Sequence, residues 1–312
     1  MQTGHRTARS PKPFEPHFGP GTDPFETLLP SPRGMGRRAG SLSGTVAQRI
    51  AAFGARTGNG AWPKLPRANI AQRLAALQSR PDNIRQYNLN ACGPAAAMHL
   101  HATRDFAAFA NMVMTLYDDG KAAFGKIGLR SDDLDGIDPQ AFAGNATPGH
   151  LLLDWMILAS LRKNDSAFFD GTPDDDLSAI TTPGEMVHWL KDGVGFAEAD
   201  AQTNLAFNKD LDHLRGLKVA PDLQPVLLVN SGVLRGKSDK KTKRAEKKSA
   251  KSQGIIGKGL AMFPNHWAPL LQPVTDDTKP VRVWSWGGPQ DFPSLDTPVW
   301  SEGYWGAVVA RA

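Results

Sequence analysis

The order of the hydrophobic patterns along the chain is the feature that most limits its possible folds. Between about residues 68 and 193, apolar side chains recur at helical spacing, as at Ile70, Leu74 and Leu77. After about Pro225 the apolar runs become short, β-prone and separated by Gly, Pro and Asp turns. A run of helices followed by a run of strands indicates an α+β fold rather than an alternating parallel sheet.

Local signals place the individual elements. We expect helices over residues 45–56, 68–77, from Cys92 onward, 106–116, 151–161 and 183–193, and antiparallel strands over 226–229, 267–271, 281–286 and 304–309. The 151–161 segment is apolar nearly all round, which predicts a buried helix. Thr182 and Glu185 form a capping box with proline at the first helical position, so this helix has the clearest start.

Prolines dominate the start of the chain and stop any helix or central strand there. They occupy positions 11, 13, 16, 20, 24, 30 and 32. We therefore expect residues 1–60 to form a disordered or weakly ordered leader, with a short helix at its end. The remainder, 61–312, is expected to be one domain with a helical half at 61–220 and a β half at 221–312.

The positive charge is concentrated in two segments of the chain. The formal net charge is +5, but residues 1–60 carry +5 and residues 235–251 carry +7, which leaves the rest at −7. The Lys-rich segment 235–254 is therefore predicted to be a mobile loop, with an electrostatic tether for an anionic partner as the alternative. Nucleic-acid binding is disfavoured, because the run contains no interleaved aromatic residues and the rest of the chain is acidic.

Several classes of protein are excluded or disfavoured by composition. No stretch approaches the roughly 18 apolar residues that span a bilayer, and the nearest is interrupted by Asp154. Nothing at the N-terminus resembles a Sec signal. A lone cysteine, Cys92, excludes an intrachain disulfide framework and a multi-cysteine zinc site, which fits synthesis in the cytoplasm. The acidic triplet 174–176 is predicted to be loop charge rather than a metal site, so we expect neither a metal nor a cofactor.

The segment from Gln86 to Cys92 and Gly93 carries the chemistry. A thiol at the start of a helix meets the positive end of the backbone dipole and free amide donors, which favour the thiolate. Gly93 lets a substrate approach the backbone closely. Gln86, six residues before the thiol, is a candidate donor to an oxyanion together with the Cys92 backbone N–H.

Among the histidines, His266 is the candidate base for this nucleophile. His99 and His101 follow Cys92 on its own helix, roughly 10 Å or more along the axis, so both are expected to be structural. His266 opens a predicted strand, from which an imidazole can face a helix-borne thiol across a cleft. A buried cysteine or a histidine before a tryptophan is, taken alone, more often simple core.

Taken together, these motifs resemble the papain-like cysteine peptidases. The shared pattern is Gln86 before Cys92-Gly93, then His266-Trp267 on a strand and the Trp-Ser-Trp-Gly-Gly sequence at 284–288. The nearest likeness is to the bacterial double-glycine leader peptidases and to effector-type thiol hydrolases. The resemblance implies a papain-like fold, with the active site in a cleft between the helical part and the sheet. It also implies Cys92 as nucleophile, His266 as general base and acid, and Gln86 as oxyanion donor.

The residue that would orient the histidine departs from the family pattern. The resemblance implies an Asn or Asp just before a Trp-Gly, where this chain has Trp284 and Ser285. The candidates for this third member are therefore Ser285, Asp276, Asp277 and Asp291, and a water is a further alternative. A histidine in the wrong tautomer can lower the rate by orders of magnitude.

The resemblance implies a thiol-dependent amide hydrolase: a cysteine protease, a deamidase or an amidase. Its expected partners are a protein, peptide or peptidoglycan substrate and an inhibitor or immunity protein. A bacterial effector or toxin, made in the cytoplasm and secreted by a Sec-independent machine into a target cell, is compatible with the sequence. The alternative is a catalytically inactive papain-like domain that binds an anionic partner through the Lys-rich loop.

Overall fold

The computed structural model describes residues 44–86, 91–138, 152–165, 181–203, 205–230, 233 and 264–312. The chain divides into two units, Met1–Gly40 and Ser41–Ala312, and every described residue belongs to the second. The expectations for residues 1–43, for the acidic triplet 174–176 and for the Lys-rich loop 235–254 lie outside the described residues.

Helices make up most of the first part of this unit. They are α1 (Gly44–Gly54), α2 (Arg67–Ser79), α3 (Cys92–Arg104), α4 (Phe106–Asp119), α5 (Leu152–Asp165) and α6 (Pro183–His188), which continues into a π-helical turn, Trp189–Gly193. The capping box of α6 is present, with the Thr182 hydroxyl accepting from the Glu185 N–H and the Glu185 carboxylate accepting from the Thr182 N–H.

The folded unit begins earlier than residue 61. Helix α1 places Val46, Ile50 and Phe53 in the same hydrophobic core as α2 and α4. The leader predicted for 1–60 is therefore too long, because apolar residues on one face of α1 are buried with the rest of the domain.

Within the described residues, antiparallel strands form three sheets. The strands are β1 (Lys121–Phe124), β2 (Ile127–Arg130), β3 (Glu198–Thr203), β4 (Leu223–Val229), β5 (His266–Pro269), β6 (Pro280–Ser285), β7 (Gly288–Ser294) and β8 (Tyr304–Arg311), with two short helices, α7 (Leu211–Gly216) and α8 (Val299–Gly303). The main sheet has the order β3-β8-β4-β5, while β1-β2 and β6-β7 are hairpins. The α+β class is confirmed, but β1, β2 and β3 lie inside the half expected to be helical.

The main sheet is covered on both faces, and β4 shows how. Val226 and Leu228 belong to the core shared with the helices. Leu227 and Val229 belong to a second core with the β6-β7 hairpin, α7 and α8. Successive side chains of a strand point to opposite faces, so the unbroken apolar run of β4 reflects burial on both sides.

Helix α5 lies in the middle of the helical core. Every side chain from Leu152 to Arg162 is buried, including that of Asp154. Within the described ranges, no helix is long and apolar enough to cross a membrane.

Candidate active site

Cys92 is the first residue of α3, at the point where this helix meets the edge of the main sheet. The thiol donates a hydrogen bond to the backbone carbonyl of Asn265, with 3.5 Å between Sγ and the oxygen. Asn265 immediately precedes β5, whose first residue is His266. The fold therefore brings the backbone beside His266 against a thiol 173 positions earlier in the chain.

The surroundings of Cys92 act on its ionisation in opposite directions. Burial raises the pKa of the thiol above its ordinary value. The backbone N–H groups of Trp267 and Gly93 and the charge of Arg162 lower this pKa, without cancelling the effect of burial. The resting side chain is a neutral thiol, surrounded by groups that stabilise a thiolate once it forms.

His266 is held in the site by its position on β5 and by one side-chain hydrogen bond. Its Nε2 lies 2.8 Å from the hydroxyl oxygen of Ser285, the last residue of β6. Burial lowers the pKa of His266 to about 4, so the ring is neutral at neutral pH. Among the residues that the structure describes, Ser285 is the one hydrogen-bond partner of this ring.

Of the four candidates for the third member, the structure brings only Ser285 to His266. The Asp276 carboxylate accepts from the backbone N–H and hydroxyl of Thr278. Asp277 pairs with Arg215, and Asp291 pairs with Arg282 at 2.8 Å. These three carboxylates thus have other partners, at the far end of the β6-β7 hairpin or in the turn before it.

The turn after Ser285 has an unusual backbone. Trp286 has φ +48° and Gly287 has φ +92°, so a large aromatic residue occupies the left-handed region. Trp286 is 41% exposed, and the centroid of its ring lies 5.3 Å from that of the His266 ring. A Cβ at Gly287 would come within 2.6 Å of Arg85 Cγ, which requires glycine at the close approach of the turn to residue 85.

The segment that leads to Gln86 is fixed to this turn and to α5. Trp284 Nε1 donates to the Asp82 carbonyl at 2.5 Å, and the Arg85 N–H donates to Asp154 at 2.9 Å. Gln86 itself is buried, and its side chain hydrogen-bonds no residue in the described parts of the chain. The stretch between Gln86 and Ala91 lies outside the described residues, so the oxyanion role of Gln86 stays a prediction.

Thr181 belongs to the site, although its sequence context gives no signal for it. Its carbonyl accepts from Trp267 Nε1 at 2.9 Å, and its side chain lies over Gly93, where a Cβ would come within 2.1 Å of the hydroxyl oxygen. Thr181 therefore joins β5 to the first turn of α3. The glycine after Cys92 is required by this contact as much as by substrate access.

The other histidines in the described residues have other surroundings. His99 stacks on Trp284 with ring centroids 4.2 Å apart, and His101 packs edge-on against Phe109 and Phe124. His188 contacts Asp165 and Asp192, while His213 bonds Tyr304 and Gln202. Of the histidines with described positions, His266 is the one next to the residue that binds the Cys92 thiol.

The arrangement combines a thiol, a neutral imidazole and backbone donors at a helix N-terminus. These are the components of nucleophilic attack on a carbonyl followed by proton transfer. In the described part of the chain, no group of three or more His, Cys, Asp or Glu side chains is placed to hold a metal. Comparison of the chain with family models, with curated proteins and with solved structures found no match.

Proposed function

We propose that this chain is a papain-like cysteine hydrolase that cleaves an amide bond, as a peptidase, a deamidase or an amidase. The observation that carries the proposal is the contact between the Cys92 thiol and the Asn265 carbonyl, directly beside His266. The hydrogen bond between His266 and Ser285 and the donors around the sulfur support it.

In the proposed reaction, Cys92 Sγ forms a bond to the amide carbonyl carbon while its proton passes to His266. The imidazolium then gives this proton to the nitrogen of the departing amine, and the C–N bond breaks. Water, deprotonated by His266, hydrolyses the resulting thioester and restores the thiol. The Cys92 N–H and the Gln86 amide are the proposed donors to the oxyanion.

The resting geometry must change for this reaction to begin. The thiol proton is bound to Asn265 rather than to the imidazole, and both reacting groups are more than nine-tenths buried. A substrate has to displace part of what covers the pair. The energy of substrate binding is a suitable source for this rearrangement.

The substrate class and setting rest on the resemblance alone. We propose a protein, peptide or peptidoglycan substrate, a bacterial effector or toxin role with Sec-independent secretion, and control by an inhibitor or immunity protein. Each of these requires an active thiol, so thiol reactivity is tested first.

The chain has one cysteine, so iodoacetamide labelling followed by intact mass reports on Cys92 alone. We expect native protein to be labelled with a pH profile that moves to higher pH in His266→Ala, because the base that takes the thiol proton is lost. His188→Gln, which removes an exposed histidine bound to Asp165 and Asp192, should leave the profile unchanged.

A catalytically inactive binding domain is the second candidate, and the burial of the pair favours it. The raised pKa of Cys92 and the lowered pKa of His266 both describe groups that are uncharged at rest. An inactive domain predicts labelling only when the protein unfolds, with no difference between wild type and His266→Ala. That result would overturn the hydrolase. It would leave binding of an anionic partner through residues 235–254 to be tested by deletion of that loop.

A further inference from the structure

The hydroxyl of Ser285 has one hydrogen-bond partner in the described residues, so it either donates to that partner or accepts from it. Ser285 is fully buried, and its side chain has a single partner among the described residues, His266 Nε2 at 2.8 Å. A serine hydroxyl carries one proton to donate and lone pairs to accept. The direction of this single bond therefore decides whether the hydroxyl proton has an acceptor.

Two arrangements of the pair fit the observed distance. In one, the Ser285 O–H donates to an unprotonated Nε2, and the neutral ring carries its proton on Nδ1. In the other, Nε2–H donates to the Ser285 oxygen, and the hydroxyl proton is buried without an acceptor. In the first arrangement, the Nδ1–H can be hydrated, because Nδ1 is not among the fully buried polar atoms that lack a partner. Ser285 is fully buried, so its proton in the second arrangement has no such outlet, and the first arrangement is favoured at rest.

The hydrogen bond of the thiol agrees with the first arrangement. Because Nε2 is occupied by Ser285, Nδ1 is the ring nitrogen left to accept the proton of Cys92. The thiol donates to the Asn265 carbonyl instead. A ring that already carries its proton on Nδ1 cannot accept from the thiol, and a backbone carbonyl is then the better acceptor.

We propose that Ser285 is a positioning residue that holds resting His266 as the Nδ1–H tautomer, the form that cannot deprotonate Cys92. The tautomer assignment stands on the hydrogen bonds alone, whereas its catalytic meaning rests on the proposed function. To react, the ring gives up the Nδ1 proton to solvent and takes a proton from solvent at Nε2, and Ser285 changes from donor to acceptor. Nδ1 then takes the thiol proton, which gives a thiolate and an imidazolium.

This assignment explains a departure from the pattern that the sequence resembles. An Asn or Asp at this point supplies an acceptor to Nε2–H and favours the reactive tautomer, whereas a serine with no second partner favours the opposite one. In the catalytic triad of a serine protease, a histidine in the wrong tautomer lowers the rate by about 10⁴-fold. The serine is therefore expected to keep the site slow until the ring is rearranged.

The tautomer is measured directly by NMR of the full chain labelled with ¹⁵N-histidine, at about pH 7, where a ring with a lowered pKa is neutral. His266→Gln identifies the His266 signals. We expect Nε2 to resonate as an unprotonated nitrogen and Nδ1 as a protonated one. The reverse pattern in the wild type would overturn the proposal.

Two variants complete the test. Ser285→Asp offers only acceptors to the ring, so the proton should move to Nε2 and Cys92 alkylation should accelerate by about tenfold or more. Ser285→Thr keeps the hydroxyl and should keep the wild-type tautomer and rate. An unchanged tautomer in folded Ser285→Asp counts against the proposal, and if that variant does not fold, the wild-type spectrum decides alone.

The same experiments separate this inference from the proposed function. Suppose that the ring is the Nδ1–H tautomer and that Cys92 is labelled identically in wild type and His266→Ala. This result would support the tautomer and overturn the hydrolase. An Nε2–H tautomer together with labelling that depends on His266 would support the hydrolase and overturn the role of Ser285.

Discussion

Two buried polar clusters of the domain differ in how fully their groups are paired. In the first, Asp154 on α5 accepts two bonds from Arg73 at 2.6 and 3.0 Å and a third from the Arg85 N–H. In the second, Cys92 and His266 each have one hydrogen bond, to Asn265 and Ser285. The first cluster is charged and fully paired, while the second is neutral and sparsely paired.

The difference separates a structural network from a site that must change state. A buried ion pair is tolerated only when its remaining hydrogen bonds are made, and Arg73 makes a further bond to the Asn83 carbonyl. This network fixes the chain just before Gln86. The thiol and the imidazole keep unused hydrogen-bonding capacity, which a reaction requires.

The largest expected effect is on the paired cluster. Asp154→Asn leaves Arg73 as an uncompensated buried charge, so the free energy of unfolding should fall by about 3–5 kcal/mol. Urea unfolding followed by circular dichroism measures the change. The control is Arg80→Met, which breaks an ion pair whose arginine is 64% exposed and should leave the urea midpoint essentially unchanged.

Asp154 also shows what the sequence could not supply. A single Asp in an apolar helix was recognisable as unusual, but its partner Arg73 lies 81 positions away. The pairing depends on how α2 packs against α5, and no local pattern encodes it.

An equal loss of stability in Asp154→Asn and Arg80→Met would mean that the buried pair is not specially stabilising.

The second effect concerns pH, because neutral burial extends to three histidines. Burial lowers the pKa of His99 to about 3 and those of His101 and His266 to about 4. The unfolded chain takes up protons on these residues below about pH 6.5, while the folded protein does not. Their contribution to stability is therefore complete above about pH 6.5 and is lost as the pH falls toward 4 and below.

Each of these histidines adds at most about 1.4 kcal/mol per pH unit to the slope with which the free energy of unfolding falls as the pH falls. His99→Phe keeps an aromatic ring against Trp284 without a titrating group. The slope should therefore decrease by about the contribution of one histidine. Ile70→Val should lower the free energy of unfolding by about 1 kcal/mol at every pH and leave the slope unchanged. The measurement is urea unfolding at a series of pH values between 7 and 4, and an identical slope in His99→Phe contradicts the prediction.

Local signals predicted well where one segment decides its own structure. The capping box before α6, the first-turn proline after Cys92 and the short apolar run of β4 are signals of this kind, and each element was found. Strand β3 was missed because its sequence, Glu198–Thr203, is polar and becomes a strand only by pairing with β8. The β6-β7 hairpin was half predicted, since the residues of β7 include two prolines.

The candidate site divides in the same way. Cys92 and His266 were proposed from their residue types and neighbours, and the fold brings the thiol to the residue beside His266. The choice of Ser285 among four candidates required the register of β6, and the place of Thr181 required the contact of its side chain with Gly93 in the first turn of α3. Side chains brought together by tertiary contacts leave no periodic trace in the sequence.

The smallest expected effect concerns backbone strain in the turn beside the candidate site. Arg73, Arg85 and Asp154 of the ion-pair cluster have no such positive φ angle. Trp286 at φ +48° pays a conformational cost of roughly 1–2 kcal/mol, which glycine avoids. In Trp286→Gly, relief of this strain raises the free energy of unfolding by the same amount. The greater conformational freedom of glycine in the unfolded chain lowers it by about 0.5–1 kcal/mol, and the contact with His266 is also lost. Its stability should therefore stay within about 1 kcal/mol of the wild type. Trp286→Ala lacks the ring and keeps the strain, so urea unfolding should show it to be about 1 kcal/mol less stable than Trp286→Gly. Equal stability of the two variants would mean that the turn relaxes to an ordinary backbone once the indole is removed, and that the indole, rather than the fold, imposes the left-handed conformation.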